Sequence, residues 1–122
     1  MTARLTAWVG FFIALVTYAV TLHLGVPGGD SGELMSAACA GGLAHPPGYP
    51  LHGLVLRLAA WLPVGDVFVR LNATSALFGA ATVGHVIDTV RRWTKSAVVG
   101  ALAGAFFGTT PQFLGPFLDL LV

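Results

Sequence analysis

A chain of 122 residues that is 56% hydrophobic and only 9% charged, with a mean hydropathy of +0.82, has too little charge to cover a water-facing surface. Soluble domains carry roughly 25% charged residues. The net charge of +1 leaves no basic stripe for a nucleic-acid partner, and the single cysteine, Cys39, excludes an internal disulfide or a multi-cysteine metal site.

These bounds predict an all-α membrane protein: one membrane domain over residues 1–122, with about three transmembrane helices and short interfacial helices in its first non-cytoplasmic loop. The first span is expected over 5–26, an apolar run whose one ionisable residue is His23. As a helix it would rise about 33 Å, enough for a ~30 Å hydrocarbon core. It exceeds the ~7–15 residues of a signal-peptide apolar region, and Leu24-Gly25-Val26-Pro27 is a poor cleavage site.

Residues 27–67 are rich in Gly and Pro and read as a structured loop outside the hydrocarbon, where irregular backbone is tolerated. Two short helices are expected in it. One covers 31–40, opened by a capping-box-like Asp30-x-x-Glu33 and stopped by Gly41-Gly42. The other covers 51–62, too short to cross a bilayer, with Arg57 as its one charge and Trp61 near its end, a pattern suited to the interface.

A second span is expected over 68–90, carrying Asn72, His85 and Asp88, with Gly79 and Gly84 suited to close helix packing. A turn over 91–96 contains Arg91, Arg92 and Lys95, and a third span follows over 97–118. The positive-inside rule places Arg4 and the Arg91–Lys95 cluster together in the cytoplasm, so the 27–67 loop faces the other side.

The chemistry-bearing residues cluster in that loop. Gly28–Glu33, GGDSGE, looks like the loop around a serine-protease nucleophile, but the chain lacks the length and strand pattern of a chymotrypsin-like fold. Asp30 and Glu33 share one face of a helix start, where a carboxylate serves as a general base, holds a cation or simply caps the helix. Three prolines in HPPGYP, 45–50, stiffen a corner that either presents His45 and Tyr49 to a pocket or only joins two helices. Arg57 and Arg70 suit a lipid phosphate or snorkel to the headgroups. His23, His85 and Cys39 have no ligand spacing, so no metal site is expected. Asn72-Ala73-Thr74 is a glycosylation sequon by letter, placed too near the membrane to be used.

The stretch PGGDSGELMSAACAGGLAHPPGYPLHGLVLRLAAWLP, followed by VRLNATSALFGAA, resembles the amino-terminal region of the transmembrane protein 260 family of protein O-mannosyltransferases. The pairing of GGDSGEL with AHPPGYPL at this separation carries the resemblance. It implies the amino-terminal portion of a polytopic GT-C glycosyltransferase. Such an enzyme moves a mannose-like sugar from a polyprenyl-phosphate carrier to a protein Ser/Thr hydroxyl. Asp30 is then the implied base, and Glu33 tunes or positions it or binds the acceptor backbone, while His45, Tyr49, Arg57 and Arg70 are candidates for the carrier phosphate.

The implied partners are the bilayer, the polyprenyl-phosphate sugar donor, an acceptor protein and the remaining spans of a full-length relative. No cofactor is implied beyond that donor, and a divalent cation finds no support. The implied location is the endoplasmic reticulum membrane in a eukaryote or the plasma membrane in a bacterium. Relatives continue through further spans, so this chain is expected not to turn over alone. Two other readings stay open: a non-catalytic membrane scaffold, or part of a transporter using Asp88 and His85.

Overall fold

The computed structural model describes residues 2–26, 28–45 and 49–110. Among them are five α-helices and no strand: α1 (Thr2–Val20), α2 (Ser31–Ala40), α3 (Pro50–Ala60), α4 (Val67–Thr94) and α5 (Ala97–Gly108). The regular structure of the described residues is therefore all helical. The chain divides into two compact units, one formed by residues before Leu22 together with those from Ala76 onward, the other by Leu22–Ser75.

Only α4, among the described residues, is long and apolar enough to cross a membrane. Its 28 residues rise about 42 Å. It begins at an N-cap the sequence reading overlooked: the Asp66 carboxylate accepts from Phe68 N–H at 2.8 Å and Val69 N–H at 3.4 Å. It also runs on through Arg91, Arg92 and Trp93, so the expected turn over 91–96 shrinks to Lys95-Ser96. The Ser96 hydroxyl then caps α5 by accepting from Val99 N–H.

The expected span over 5–26 is cut short, because α1 ends at Val20. The reason lies in competing hydrogen bonds. The Asn72 side-chain amide donates to the carbonyls of His23 (2.6 Å) and Gly25 (2.9 Å), and Gly25 N–H donates to His23 Nδ1. These bonds satisfy the backbone in a non-helical course, just ahead of a proline that cannot continue a helix. The same clamp accounts for the sequon: Asn72 sits inside α4 with both of its amide bonds spent. The 12 residues of α5 rise about 18 Å, and the part of the expected third span beyond Thr110 lies outside the described residues.

In the first unit Ala80, Val83 and Ile87 of α4 are buried, as is Tyr18 of α1. Glycines make the close approach possible. A Cβ on Gly10 of α1 or on Gly104 of α5 would collide with the Ile87 side chain, and one on Gly100 would lie 2.8 Å from the Ile87 carbonyl oxygen. Ile87 is thus a knob received by small residues of both neighbouring helices, which lets the backbones approach closely. Tyr18 Oη ties the far end by donating to the Gly108 carbonyl at 3.0 Å. The outer faces stay apolar, with Trp8, Phe12, Ile13 and Val16 of α1 and Val98, Leu102 and Phe106 of α5 all more than half exposed.

The second unit has a core of Met35 and Ala38 from α2, Leu56 and Ala59 from α3, and Leu71 from the first turns of α4. Leu71 is its anchor, at 1% exposure. α2 stops where Gly41 takes the left-handed conformation (φ 77°) and returns its N–H to the Ala37 carbonyl at 2.9 Å. α3 begins at Pro50, whose fixed φ suits the first helical position.

Candidate functional site

Two segments of the second unit, the start of α2 and the corner before α3, come together through one carboxylate. Glu33, in the first turn of α2, accepts the backbone N–H of His45 at Oε1 (2.6 Å) and faces His45 Nδ1 from Oε2 (2.8 Å). A carboxylate can only accept, so the short contact assigns the hydrogen of that ring nitrogen to Nδ1. The opposite ring nitrogen, Nε2, lies 3.9 Å from Asp30 Oδ2. His45 is thereby held by one acid and presented to a second.

The electrostatics follow from this clasp. The hydrogen bond from the His45 ring lowers the Glu33 carboxyl below its ordinary value, and the bond from the His45 backbone adds to it. The bond to Glu33, followed by the attraction of its charge, raises His45 above the ordinary imidazole value. Both side chains remain solvent-accessible, at 42% for His45 and 47% for Glu33. The array is open to a ligand and is not sealed in a core.

The capping reading of the two acids is overturned. Asp30 occupies the N-cap position of α2, but its backbone is already helical (φ −73°, ψ −3°) and its side chain makes no cap bond. Its carbonyl accepts from Leu34 N–H, leaving the carboxylate 74% exposed beside His45. Glu33 does not reach back to the N-cap amide because His45 takes both of its oxygens.

Tyr49 joins the same corner. Its ring meets the His45 ring edge-to-face at a centroid distance of 6.4 Å. Its backbone is left-handed (φ 40°, ψ 55°), costly for a residue with a Cβ by about 1–2 kcal/mol. Conformations of this kind persist where surrounding structure enforces them and concentrate at functional sites. Pro46, Pro47 and Gly48, the centre of the stiff corner, lie outside the described residues.

The two arginines assigned to the carrier phosphate are not drawn into this cluster. The Arg57 guanidinium lies against the C-terminal end of α2, where a Cβ on Gly41 would meet its Nη1 at 2.8 Å, and it sits 5.5 Å from the Trp61 ring centroid. That is the position of a cation complementing a helix C-terminus. Arg70, on α4, is half-buried, and its Nε is buried without a hydrogen-bond partner. Among the described residues no ion pair links either arginine to Asp30 or Glu33. Nor is any group of three or more His, Cys, Asp or Glu among them placed to hold a metal ion.

The transporter reading fares poorly at Asp88. One of its oxygens accepts from Arg91 Nη2 (2.5 Å) and the other from Arg92 Nε (2.6 Å), a pairing along a single helix. A carboxylate committed to two guanidiniums is a poor proton carrier.

The described residues define an all-helical protein with an acid–histidine–acid array on the corner between α2 and α3. The comparisons define its class more closely. Residues 30–111 match the model of the Protein O-mannosyl-transferase TMEM260 N-terminal domain, a stretch that contains all six candidate site residues. The chain belongs to this family. It is 43% identical over 98 residues to Protein O-mannosyl-transferase TMEM260 of Mus musculus, covering 80% of this chain and 14% of that protein. It is 30% identical over 104 residues to Protein O-mannosyl-transferase tmem260 of Dictyostelium discoideum, covering 83% of this chain and 13% of that protein. The chain thus spans only a small part of the relatives it matches. No solved structure matches it.

Proposed function

We propose that this chain is the amino-terminal portion of a polytopic GT-C glycosyltransferase that moves mannose from a polyprenyl-phosphate carrier to a Ser or Thr hydroxyl of a protein. α1, α4 and α5 belong to its membrane spans, and the loop carrying α2 and α3 lies on the non-cytoplasmic side. The observation that carries the reading is the Asp30 carboxylate, free of its helix and held beside His45, itself fixed by Glu33. The family match supports the reaction class.

In this mechanism Asp30 takes the proton of the acceptor hydroxyl as its oxygen bonds to the anomeric carbon of the sugar. The bond from that carbon to the carrier phosphate breaks, and the phosphate leaves with the electron pair, needing little acid assistance. Glu33 keeps the His45 ring turned with Nε2 toward Asp30. His45, at 3.9 Å, keeps the Asp30 carboxylate facing the acceptor. Tyr49 buttresses the His45 ring, and further spans of a full-length relative complete the carrier site.

The test is made in a full-length relative at the positions aligned with these residues. Asp30→Asn, expressed at the normal level, abolishes mannosyl transfer to an acceptor peptide, whereas Asp88→Asn leaves it intact. Transfer surviving Asp30→Asn removes the assignment of the base. Labelling of a cysteine at position 30 from the same side as one at position 92 removes the topology.

A further inference from the structure

A second feature lies in the first unit, in the groove between the amino-terminal half of α1 and the carboxy-terminal half of α4. Its volume is about 530 Å³, within the range of small-molecule sites. Along α4 it runs from Arg92 to Leu77, about 22 Å of helix. Its floor is set by Gly84, where an added Cβ would lie 3.2 Å from Phe11 Cβ and 3.4 Å from the Ala7 carbonyl.

The polarity of the groove is graded from end to end. Arg4, Asp88 and Arg92 stand at one end, His85 follows them along α4, and Trp8, Phe11 and Leu77 form the apolar walls beyond. The basic end is not self-neutralised. Asp88 is shared by Arg91 and Arg92, and Arg4 makes no ion pair among the described residues. Three guanidiniums therefore meet one carboxylate, leaving an excess of two positive charges. Arg92 spends only its Nε on Asp88, so its terminal nitrogens remain for another acceptor.

A helix filling this groove would leave those charges unmatched, and a free phosphate would leave the aromatic walls unmatched. An amphiphile with an anionic head satisfies both ends. We infer that the α1–α4 groove is a binding site for an anionic glycerophospholipid, its phosphate on Arg4 and Arg92 and an acyl chain laid along Trp8, Phe11 and Leu77. Arginine suits the head because its planar fork meets phosphate oxygens in pairs. Basic pockets between membrane helices are a recurring place for such heads. The site is separate from the Asp30 array and independent of the transfer reaction, and it rests on the membrane reading of α1 and α4.

The test uses Trp8 as its reporter. The 122-residue chain carrying Trp61→Phe and Trp93→Phe is reconstituted in phosphatidylcholine vesicles. These contain, at equal mole fraction, acyl-brominated phosphatidylcholine or acyl-brominated phosphatidylglycerol. Brominated phosphatidylglycerol should quench Trp8 with an apparent affinity about fivefold or more above that of brominated phosphatidylcholine, the effect of one uncompensated Arg at a membrane surface. Arg4→Gln, a change at an exposed position, should reduce the preference while leaving quenching by phosphatidylcholine unchanged, and Arg4→Lys should retain more of it. Equal quenching by the two lipids, or a preference unchanged by Arg4→Gln, overturns the lipid site and leaves the membrane reading standing. Absence of quenching by either overturns both.

Discussion

Leu71→Ala probes how the second unit is held together. Leu71 is 1% exposed and completes a core otherwise made by α2 and α3. Truncating a leucine this deeply buried costs about 3–5 kcal/mol, the lost transfer energy plus the cavity left behind. A unit of roughly fifty residues carries only about 3–8 kcal/mol of stability at typical values per residue. The substitution therefore removes much of what keeps α2 and α3 folded, and with them the geometry of Asp30, Glu33 and His45. Amide hydrogen exchange in detergent micelles reads this directly. Protection should fall by two orders of magnitude or more across 34–40 and 54–60, while α5 and the buried part of α1 keep theirs. Leu71→Met, which conserves volume, should cost under about 1.5 kcal/mol and leave the pattern near that of the parent. Unchanged exchange in α2 and α3, or a uniform loss through α1 and α5, would refute the assignment of Leu71 as the local anchor.

Other consequences are equally open to measurement. Because His45 is raised above 6.5, its share of the clasp is complete below that pH and fades as pH climbs through the elevated value. Because Glu33 is lowered below 4.5, its share is complete above that pH and fades as pH drops through the depressed value. The clasp is strongest between 4.5 and 6.5, and an NMR titration of the His45 ring should give a midpoint above 6.5 that Glu33→Gln moves back down. In α5, Gly100→Ala should destabilise by about 1–3 kcal/mol in a denaturant titration, since its Cβ meets the fixed Ile87 carbonyl. Gly104→Ala should be at least as costly, because its Cβ would collide with Cγ1 of Ile87, a buried β-branched side chain held from the other side by Gly10, and the ~1 kcal/mol helix gain of Ala over Gly does not offset that clash. Asn72→Ala should lower stability by about 1–3 kcal/mol through the two carbonyls it strands, and the parent chain expressed in a glycosylating host should show no mass shift on amidase treatment.

Helical character was legible, because the apolar runs are long and Gly and Pro mark the breaks around α2 and α3. Gly41 is such a break, and its positive φ is the conformation that favours glycine. The end of α1 was not legible, since nothing in an apolar run from Leu5 to Val26 announces that an amide 49 residues from His23 will draw its carbonyl out of the helix. Asp66 was within reach of reading as an N-cap, standing directly before an apolar periodic segment, and was missed because glycines and prolines around it suggested only loop. At the site, sequence spacing put Asp30 and Glu33 on one helix face but could not choose between capping and presenting a carboxylate. That choice depends on His45, twelve residues away, competing for Glu33. The groove beside Arg4 was invisible for the same reason: its walls come from helices more than sixty residues apart in the chain.

The Glu33–His45 clasp also bears on biogenesis. It joins residues only twelve apart, and a chain segment of about that length closes in roughly 10–100 ns, whereas a ribosome adds about 5–20 residues per second. The acid and the imidazole can meet repeatedly before Leu71 has been synthesised, yet the encounter lasts only once that leucine arrives to lock α2 against α3. Assembly of this corner is therefore limited by delivery of α4, and a nascent chain stalled before residue 71 would carry the acids and the imidazole without the means to hold them still.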